Sequence, residues 1–284
     1  MELGGKPAGS GRGGPDFICF GLQKAGTQWL YDQMNSCSQV WMAPVKELNY
    51  FLGDPHKPLN LEMLNAFHRQ SEEQQASDPS ARGFFSIFSE GKSSNVDWYR
   101  SLFSFKGERV SGDISPFYAT ADAADVKRIY GACPEAKYIF LVRHPVDRIW
   151  SALCMHLRVG RISEVDLGDW PSVKAVISRK GYVKRSYPSQ IWKRWTTFVN
   201  PDSIRYWFLD DIISDPERIR QEILSFAGIE RPQFSLAADY NQKSGKQKVP
   251  MPDDVRAGLF ETFGPEIEDC AKTFGRAATN WRRS

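Results

Sequence analysis

Long apolar runs are missing from this sequence. No stretch approaches the roughly 18 residues that cross a bilayer, and the N-terminus lacks the apolar core of a secretory leader. These absences argue against a membrane anchor. Cysteine is scarce: Cys19, Cys37, Cys133, Cys154 and Cys270 are widely spaced, odd in number and form no Cys-x-x-Cys pair. A disulfide framework or zinc site is therefore not expected, and a reducing compartment fits. The four histidines show no metal-ligand spacing either. A dominant charge sign is lacking too. The net charge of +3 is too small to argue for nucleic-acid binding, though it suits an anionic ligand.

What is present describes an ordinary globular chain. Of its 284 residues, 41% are hydrophobic and 25% charged, enough for one large α/β domain. No interior linker divides it. Residues 4–15 are rich in Gly and Pro and read as flexible. The expected organisation is a tail over residues 1–15 and a single domain over residues 16–284.

Three strand–helix units stand out. Phe17-Ile18-Cys19-Phe20 is a short apolar run that ends in a Gly-containing turn at residues 21–26. A helix follows, with Leu30, Tyr31 and Met34 at helical spacing. Lys137-Tyr138-Ile139-Phe140-Leu141-Val142 is a second strand. Arg143-His144-Pro145 leads from it into a helix whose stripe is Val146, Ile149, Trp150, Leu153 and Leu157. The third strand is residues 204–209, and its helix runs from Asp215-Pro216 to Gly228. Short helices are expected around Trp98-Tyr99 and Leu102-Phe103, and around Ile191-Trp192 and Trp195. Residues 241–252 read as a polar loop, and two helices broken at Gly264-Pro265 are expected after it. Strands alternating with helices predict an α/β fold: a P-loop-type parallel sheet flanked by helices on both faces.

The first turn carries Lys24-Ala25-Gly26-Thr27-Gln28. Backbone N–H groups at such a turn, with the helix N-terminus behind them, form an anion site. Gly26 permits close approach, Lys24 adds charge, and Thr27 can cap the helix. Alone, the segment reads equally well as a surface turn with a solvated lysine. It is not a Walker A motif, because the lysine precedes the second glycine, and no Gly-x-Gly-x-x-Gly is present.

The order Lys-x-Gly-Thr after a first strand resembles the 5′-phosphosulfate loop of sulfotransferases that use 3′-phosphoadenosine 5′-phosphosulfate (PAPS), nearest the heparan-sulfate and bacterial carbohydrate branch. Gln28 stands where that branch usually has a second hydroxyl residue. Three further segments resemble the same family in the same order. Lys46-Glu47-Leu48-Asn49-Tyr50-Phe51 is similar to the segment that carries its base. Gly112-Asp113-Ile114-Ser115-Pro116-Phe117-Tyr118 is similar to its Gly-Glu-x-(Ser/Thr)-Pro-x-Tyr segment. Arg143-His144-Pro145, with Ser151 eight residues after Arg143, is similar to its 3′-phosphate motif. Ser244-Gly245-Lys246 resembles a glycine loop that closes on the cofactor.

The resemblance implies a sulfuryl transfer from PAPS to a hydroxyl, less readily an amine, by in-line displacement without a metal. The product 3′-phosphoadenosine 5′-phosphate (PAP) would leave with its bridging oxygen steadied by Lys24. Lys24, Ala25, Gly26, Thr27, Gln28, Arg143, Ser151, Ser244, Gly245 and Lys246 would bind PAPS. Glu47 would be the general base, with Asp113 in reserve, and Lys46 would orient the sulfate or hold the substrate. Asp113 stands where the family more often has glutamate, and Ile114 where some members have lysine. No histidine follows the pattern of the cytosolic aryl and steroid sulfotransferases; His144 is expected to pack beside Pro145. The acceptor would be a small molecule or carbohydrate, with neither nucleic acid nor membrane as a partner.

Other readings stay open on the residues alone. Arg143 also suits a salt bridge at a strand end, and Lys46-Glu47 an exposed charge pair. Phe117, Tyr118, Trp192 and Trp195 suit the core at least as well as a stacking site. The basic stretch Arg179-Lys180, Lys184-Arg185 and Lys193-Arg194 suits either an anionic acceptor or a solvated face. A phosphate-binding module without transfer chemistry is an alternative that Glu47 opposes, and a P-loop kinase one that the absent Walker A opposes. No cysteine lies between Cys154 and Cys270, where Golgi relatives have a disulfide loop. The expected location is the cytoplasm, with a truncated lumenal domain of a Golgi enzyme as the alternative.

Overall fold

The computed structural model describes residues 13–52, 78–89, 95–162, 165–179, 182–240 and 249–281. Strand β1 (Phe17–Gly21) leads into helix α1 (Thr27–Asn35), and β2 (Val40–Met42) follows. After α2 (Pro79–Ser89) and α3 (Val96–Ser101) comes β3 (Val110–Ile114), then α4 (Ala123–Ala132) and β4 (Lys137–Val142). Helices α5 (Pro145–Arg158), α6 (Trp170–Arg179) and α7 (Pro188–Thr196) precede β5 (Ile204–Phe208). The chain continues through α8 (Leu209–Ser214), α9 (Pro216–Phe226), α10 (Asp253–Phe274) and α11 (Arg276–Asn280).

Among the described residues, five strands form one parallel sheet in the order β2-β3-β1-β4-β5. The chain moves outward from β1 to one side and later to the other. The carboxyl ends of β3, β1 and β4 therefore meet at a topological switch point, where open α/β sheets bind ligands. The central strands β1 and β4 are buried on both faces. Phe20 of β1 stacks between Phe140 of β4 (4.8 Å) and Trp195 of α7 (3.9 Å), all fully buried. Such burial on both faces makes β1, and β4 beyond its first residue, uninterrupted apolar runs.

Strands β2 and β3 carry no comparable run. Strand β3 includes Gly112 and Asp113, residues disfavoured in strands. A Cβ at Gly112 would stand 2.0 Å from the Phe17 ring, so the packing of the adjacent strand excludes any side chain there.

One expectation is corrected. No break occurs at Gly264-Pro265: α10 is a single helix of 22 residues with Pro265 inside it. An interior proline costs about 3 kcal/mol. Burial of Val255, Leu259, Phe263, Ile267, Cys270 and Phe274 along one side offsets that. The buried Glu266 carboxylate ties the helix to the start of α7, accepting from Ser189 N (2.7 Å) and Oγ (2.9 Å). At the other end of the chain, Gly14 is already buried, and its carbonyl accepts from Lys106 Nζ (3.1 Å).

Candidate active site

The turn between β1 and α1 is left-handed at Lys24 (φ 74°) and Gly26 (φ 97°). Gly26 is the N-cap residue, and no side chain caps the helix. The expected cap, Thr27, is instead the first helical residue and is buried, because the left-handed Gly26 already turns the chain into α1. The first turn contains no acidic residue, so the positive end of the helix dipole is not neutralised from within. Lys24 Nζ approaches Met155 Sδ of α5 at 3.5 Å. Gln28 is exposed, and its amide nitrogen donates to Asp32 Oδ1 (2.9 Å) one turn further along the helix.

Arg143 follows β4 immediately and reaches this turn. Its Nη1 donates to the Lys24 carbonyl at 2.8 Å. Burial pulls its guanidinium below the ordinary range, and the charges of Asp147 and Asp210 oppose that pull. His144 is buried: its Nδ1 accepts from Val146 N (3.2 Å), and its ring packs against Phe260 and Trp281. Ser151 is half-buried on α5. It lies one helical turn before Met155, so the face that carries it is the face turned to Lys24.

Lys46 and Glu47 lie just past β2, at the same sheet edge. Lys46 Nζ pairs with Glu47 Oε1 at 3.6 Å, and the Glu47 side chain is 38% exposed. Asp113 differs sharply. It is 2% exposed and accepts from Ser115 Oγ (2.6 Å), Tyr99 OH (2.9 Å) and Tyr118 OH (3.1 Å). Burial pushes its carboxyl up to about 6, and the three hydroxyl donors moderate the rise.

The structure adds Arg185 to this group. Its Nη1 donates to Gln23 Oε1 of the turn (2.6 Å), and its guanidinium lies 4.4 Å above the Phe117 ring. Burial lowers its pKa, and the Glu47 charge is the largest opposing influence. Arg148 pins the segment that carries it. Fully buried on α5, Arg148 donates from Nε to Ser186 Oγ (2.9 Å) and from Nη2 to the Tyr182 carbonyl (3.1 Å). Burial, then the charges of Arg185 and Arg143, push Arg148 down to about 9. The charges of Arg185 and Arg143 thus act on Arg148, and an anion bound near them would offset that effect. In sequence Arg185 is one residue of a basic stretch, and no periodicity separates it from its neighbours. In space the stretch divides: Arg194 turns away and donates to the Ala121 carbonyl (2.7 Å).

The aromatic residues divide as well. Tyr118 and Trp195 are fully buried, and Trp192 stacks on Phe140, whereas Phe117 is 40% exposed beside Arg185. Ser244, Gly245 and Lys246 lie outside the described residues, as does most of the 241–252 loop. Among the described residues, no three His, Cys, Asp or Glu side chains are grouped to hold a metal. Nor is any helix among them long and apolar enough to cross a membrane. All five cysteines are free thiols.

A family model described as "Sulfotransferase family" matches residues 15–233. No curated protein matches the sequence. Among solved structures, a sulfotransferase from Alicyclobacillus acidocaldarius is similar at a TM-score of 0.67 and 20% identity, over 95% of this chain and 99% of that one. The sulfotransferase domain from the curacin biosynthetic pathway is similar at 0.56 and 13% identity, over 89% and 99%. The sulfotransferase domain of the Synechococcus PCC 7002 olefin synthase gives 0.53 and 15% identity, over 93% and 98%. These likenesses establish the fold.

Proposed function

The chain belongs to the sulfotransferase family, and on that premise we propose that it transfers the sulfuryl group of PAPS to a hydroxyl, less readily an amine, of an acceptor. One observation carries the choice of donor: the uncapped start of α1, free of acidic residues, is tied by its Lys24 carbonyl to Arg143 at 2.8 Å. Two anion-binding elements are thereby fixed side by side, as a nucleotide phosphorylated at both ends requires. The positive charges of Arg143 and Arg185, both felt by Arg148, suit the same anionic ligand.

PAPS supplies an activated sulfuryl group. Backbone N–H groups of Gly26, Thr27 and Gln28, with Lys24, bind the 5′-phosphosulfate, whereas the Ala25 N–H, expected among these donors, is taken by the Leu22 carbonyl (3.1 Å). Arg143 and Ser151 hold the 3′-phosphate; Ser244, Gly245 and Lys246, which the family resemblance adds to the cofactor set, lie outside the described residues. The acceptor oxygen forms its S–O bond as the bond to the departing phosphate oxygen breaks. Lys24 steadies the charge on that oxygen. Glu47 takes the acceptor proton, since it is solvent-accessible at the same sheet edge. Asp113 is sealed beneath three hydroxyl groups, which favours Glu47 over it as the base. Lys46 and Arg185 face the acceptor side. The Lys46-Glu47 motif resembles that of the carbohydrate branch, which favours a carbohydrate among acceptors. The free thiols favour a reducing compartment, the cytoplasm.

Two measurements test this reading. PAP and PAPS should raise the melting temperature, and adenosine 5′-phosphosulfate, which lacks the 3′-phosphate, much less. A library of hydroxyl acceptors incubated with labelled PAPS should yield a sulfated product by mass. Equal melting shifts from both nucleotides, or Mg²⁺-dependent ATP hydrolysis in place of sulfation, would overturn it.

A further inference from the structure

The loop that carries Glu47 is held in an unfavourable backbone conformation. Glu47 (φ 65°) and Asn49 (φ 48°) are both left-handed without being glycine. Such residues persist only where the surroundings over-determine them. Two hydrogen bonds do so here, both to the end of β3: Glu47 N donates to the Ile114 carbonyl, and Asn49 N to Ser115 Oγ, each at 3.1 Å.

The second bond depends on a proton placed elsewhere. Ser115 has one hydroxyl proton, and it points to Asp113 Oδ1 at 2.6 Å. Its lone pairs are thereby left to accept from Asn49. Tyr99 and Tyr118 fill the other oxygen of Asp113, so the carboxylate cannot turn away from Ser115. The same tyrosines pack the far end of the loop: Tyr50 stacks on Tyr99 (4.8 Å), and Phe51 lies 5.0 Å from Tyr99 and 6.0 Å from Tyr118. Two motifs more than 60 positions apart interlock through one buried carboxylate.

We propose that Ser115, with its hydroxyl oriented by Asp113, is a positioning residue that holds Glu47 in place for proton transfer. The inference rests on Glu47 being the base. Asp113 then never exchanges a proton with the acceptor; it fixes the direction of the Ser115 hydroxyl, and that hydroxyl fixes the loop.

A double-mutant cycle tests this. Turnover and PAP affinity are measured for Ser115→Ala, Ser115→Thr, Glu47→Gln and the pair Glu47→Gln/Ser115→Ala. Ser115→Ala should lower kcat roughly 10- to 100-fold, the scale of a misplaced reacting group. Its PAP affinity should remain that of the parent, and Ser115→Thr, which keeps the hydroxyl, should recover most of the rate. On top of Glu47→Gln, the Ser115→Ala change should cost nothing more. A full additional loss in the double variant, or parent-like kcat in Ser115→Ala, overturns the inference alone. Parent-like kcat in Glu47→Gln overturns the base assignment and the inference with it. If Ser115→Ala fails to bind PAP, Ser115→Cys replaces it in the cycle, keeping the shape while weakening both bonds, with the same outcomes deciding.

Discussion

Arg143 and Lys24, 119 positions apart in the chain, are joined by a 2.8 Å hydrogen bond from a half-buried guanidinium to a backbone carbonyl. The bond ties the carboxyl end of β4 to the turn after β1. The group proposed to read one end of the nucleotide thus also shapes the turn proposed to hold the other.

This gives Arg143→Ala a distinctive signature. PAP binding should weaken by more than about 1.5 kcal/mol, the scale of a charged hydrogen bond. Adenosine 5′-phosphosulfate has no 3′-phosphate, so a residue serving that phosphate alone would leave its binding untouched. The carbonyl bond predicts that its affinity falls as well, by a smaller factor. Titration calorimetry with both nucleotides checks this, and unchanged adenosine 5′-phosphosulfate affinity would refute the coupling.

Glu47→Gln keeps the side-chain shape and removes its basicity. Turnover should fall on the order of 10²–10⁴-fold while PAP binding stays close to the parent. The measurement is turnover with a working acceptor beside calorimetry. A rate within a few-fold of the parent, with binding intact, would remove Glu47 as the base.

Transfer should proceed without a metal. The sulfuryl group carries less negative charge than a phosphoryl group, and Lys24 with the helix N-terminus supplies the positive charge. The turn also lacks the Walker A order that places a hydroxyl on Mg²⁺. Initial rates in excess EDTA should equal those without it. Activity that disappears in chelator and returns with Mg²⁺ would contradict this.

Asp113 makes a testable contribution to stability. Its carboxyl is raised to about 6 in the folded chain from 3.8, so between these values the folded state binds more protons than the unfolded state. Stability from this group is therefore greatest at low pH, declines as pH rises from about 4 to 6, and levels off above. The size is on the order of 2–3 kcal/mol. Urea unfolding of the parent and of Asp113→Asn from pH 4 to 7 isolates it, because the other carboxylates are common to both chains. The parent should lose stability relative to the variant across that window; a flat difference would show that the burial penalty is absent.

The sequence by itself determined the elements whose signal is local. Strands β1 and β4 are buried on both faces, so all but the first residue of β4 reads as an apolar run that can be placed within a few residues. Helix α5 announces itself through Pro145 and an apolar stripe, and Lys24, Glu47 and Arg143 are marked by short motifs in a fixed order. Helix α10 was not legible at Pro265, because a local breaker is outweighed by burial against partners distant in sequence. Strand β3 was hidden for a similar reason, since the Phe17 ring of the next strand is what requires Gly112.

Only the tertiary structure decided which side chains meet. Asp113 reads as a spare base in its motif. In the fold Tyr99, arriving from α3, joins Tyr118 and Ser115 in donating to it and burying it. Arg185 reads as one charge in a basic stretch until Gln23 and Phe117 single it out. The strand order β2-β3-β1-β4-β5 brings these residues to one edge. That order is set by packing between elements far apart in the chain, and neither periodicity nor motif spacing encodes it.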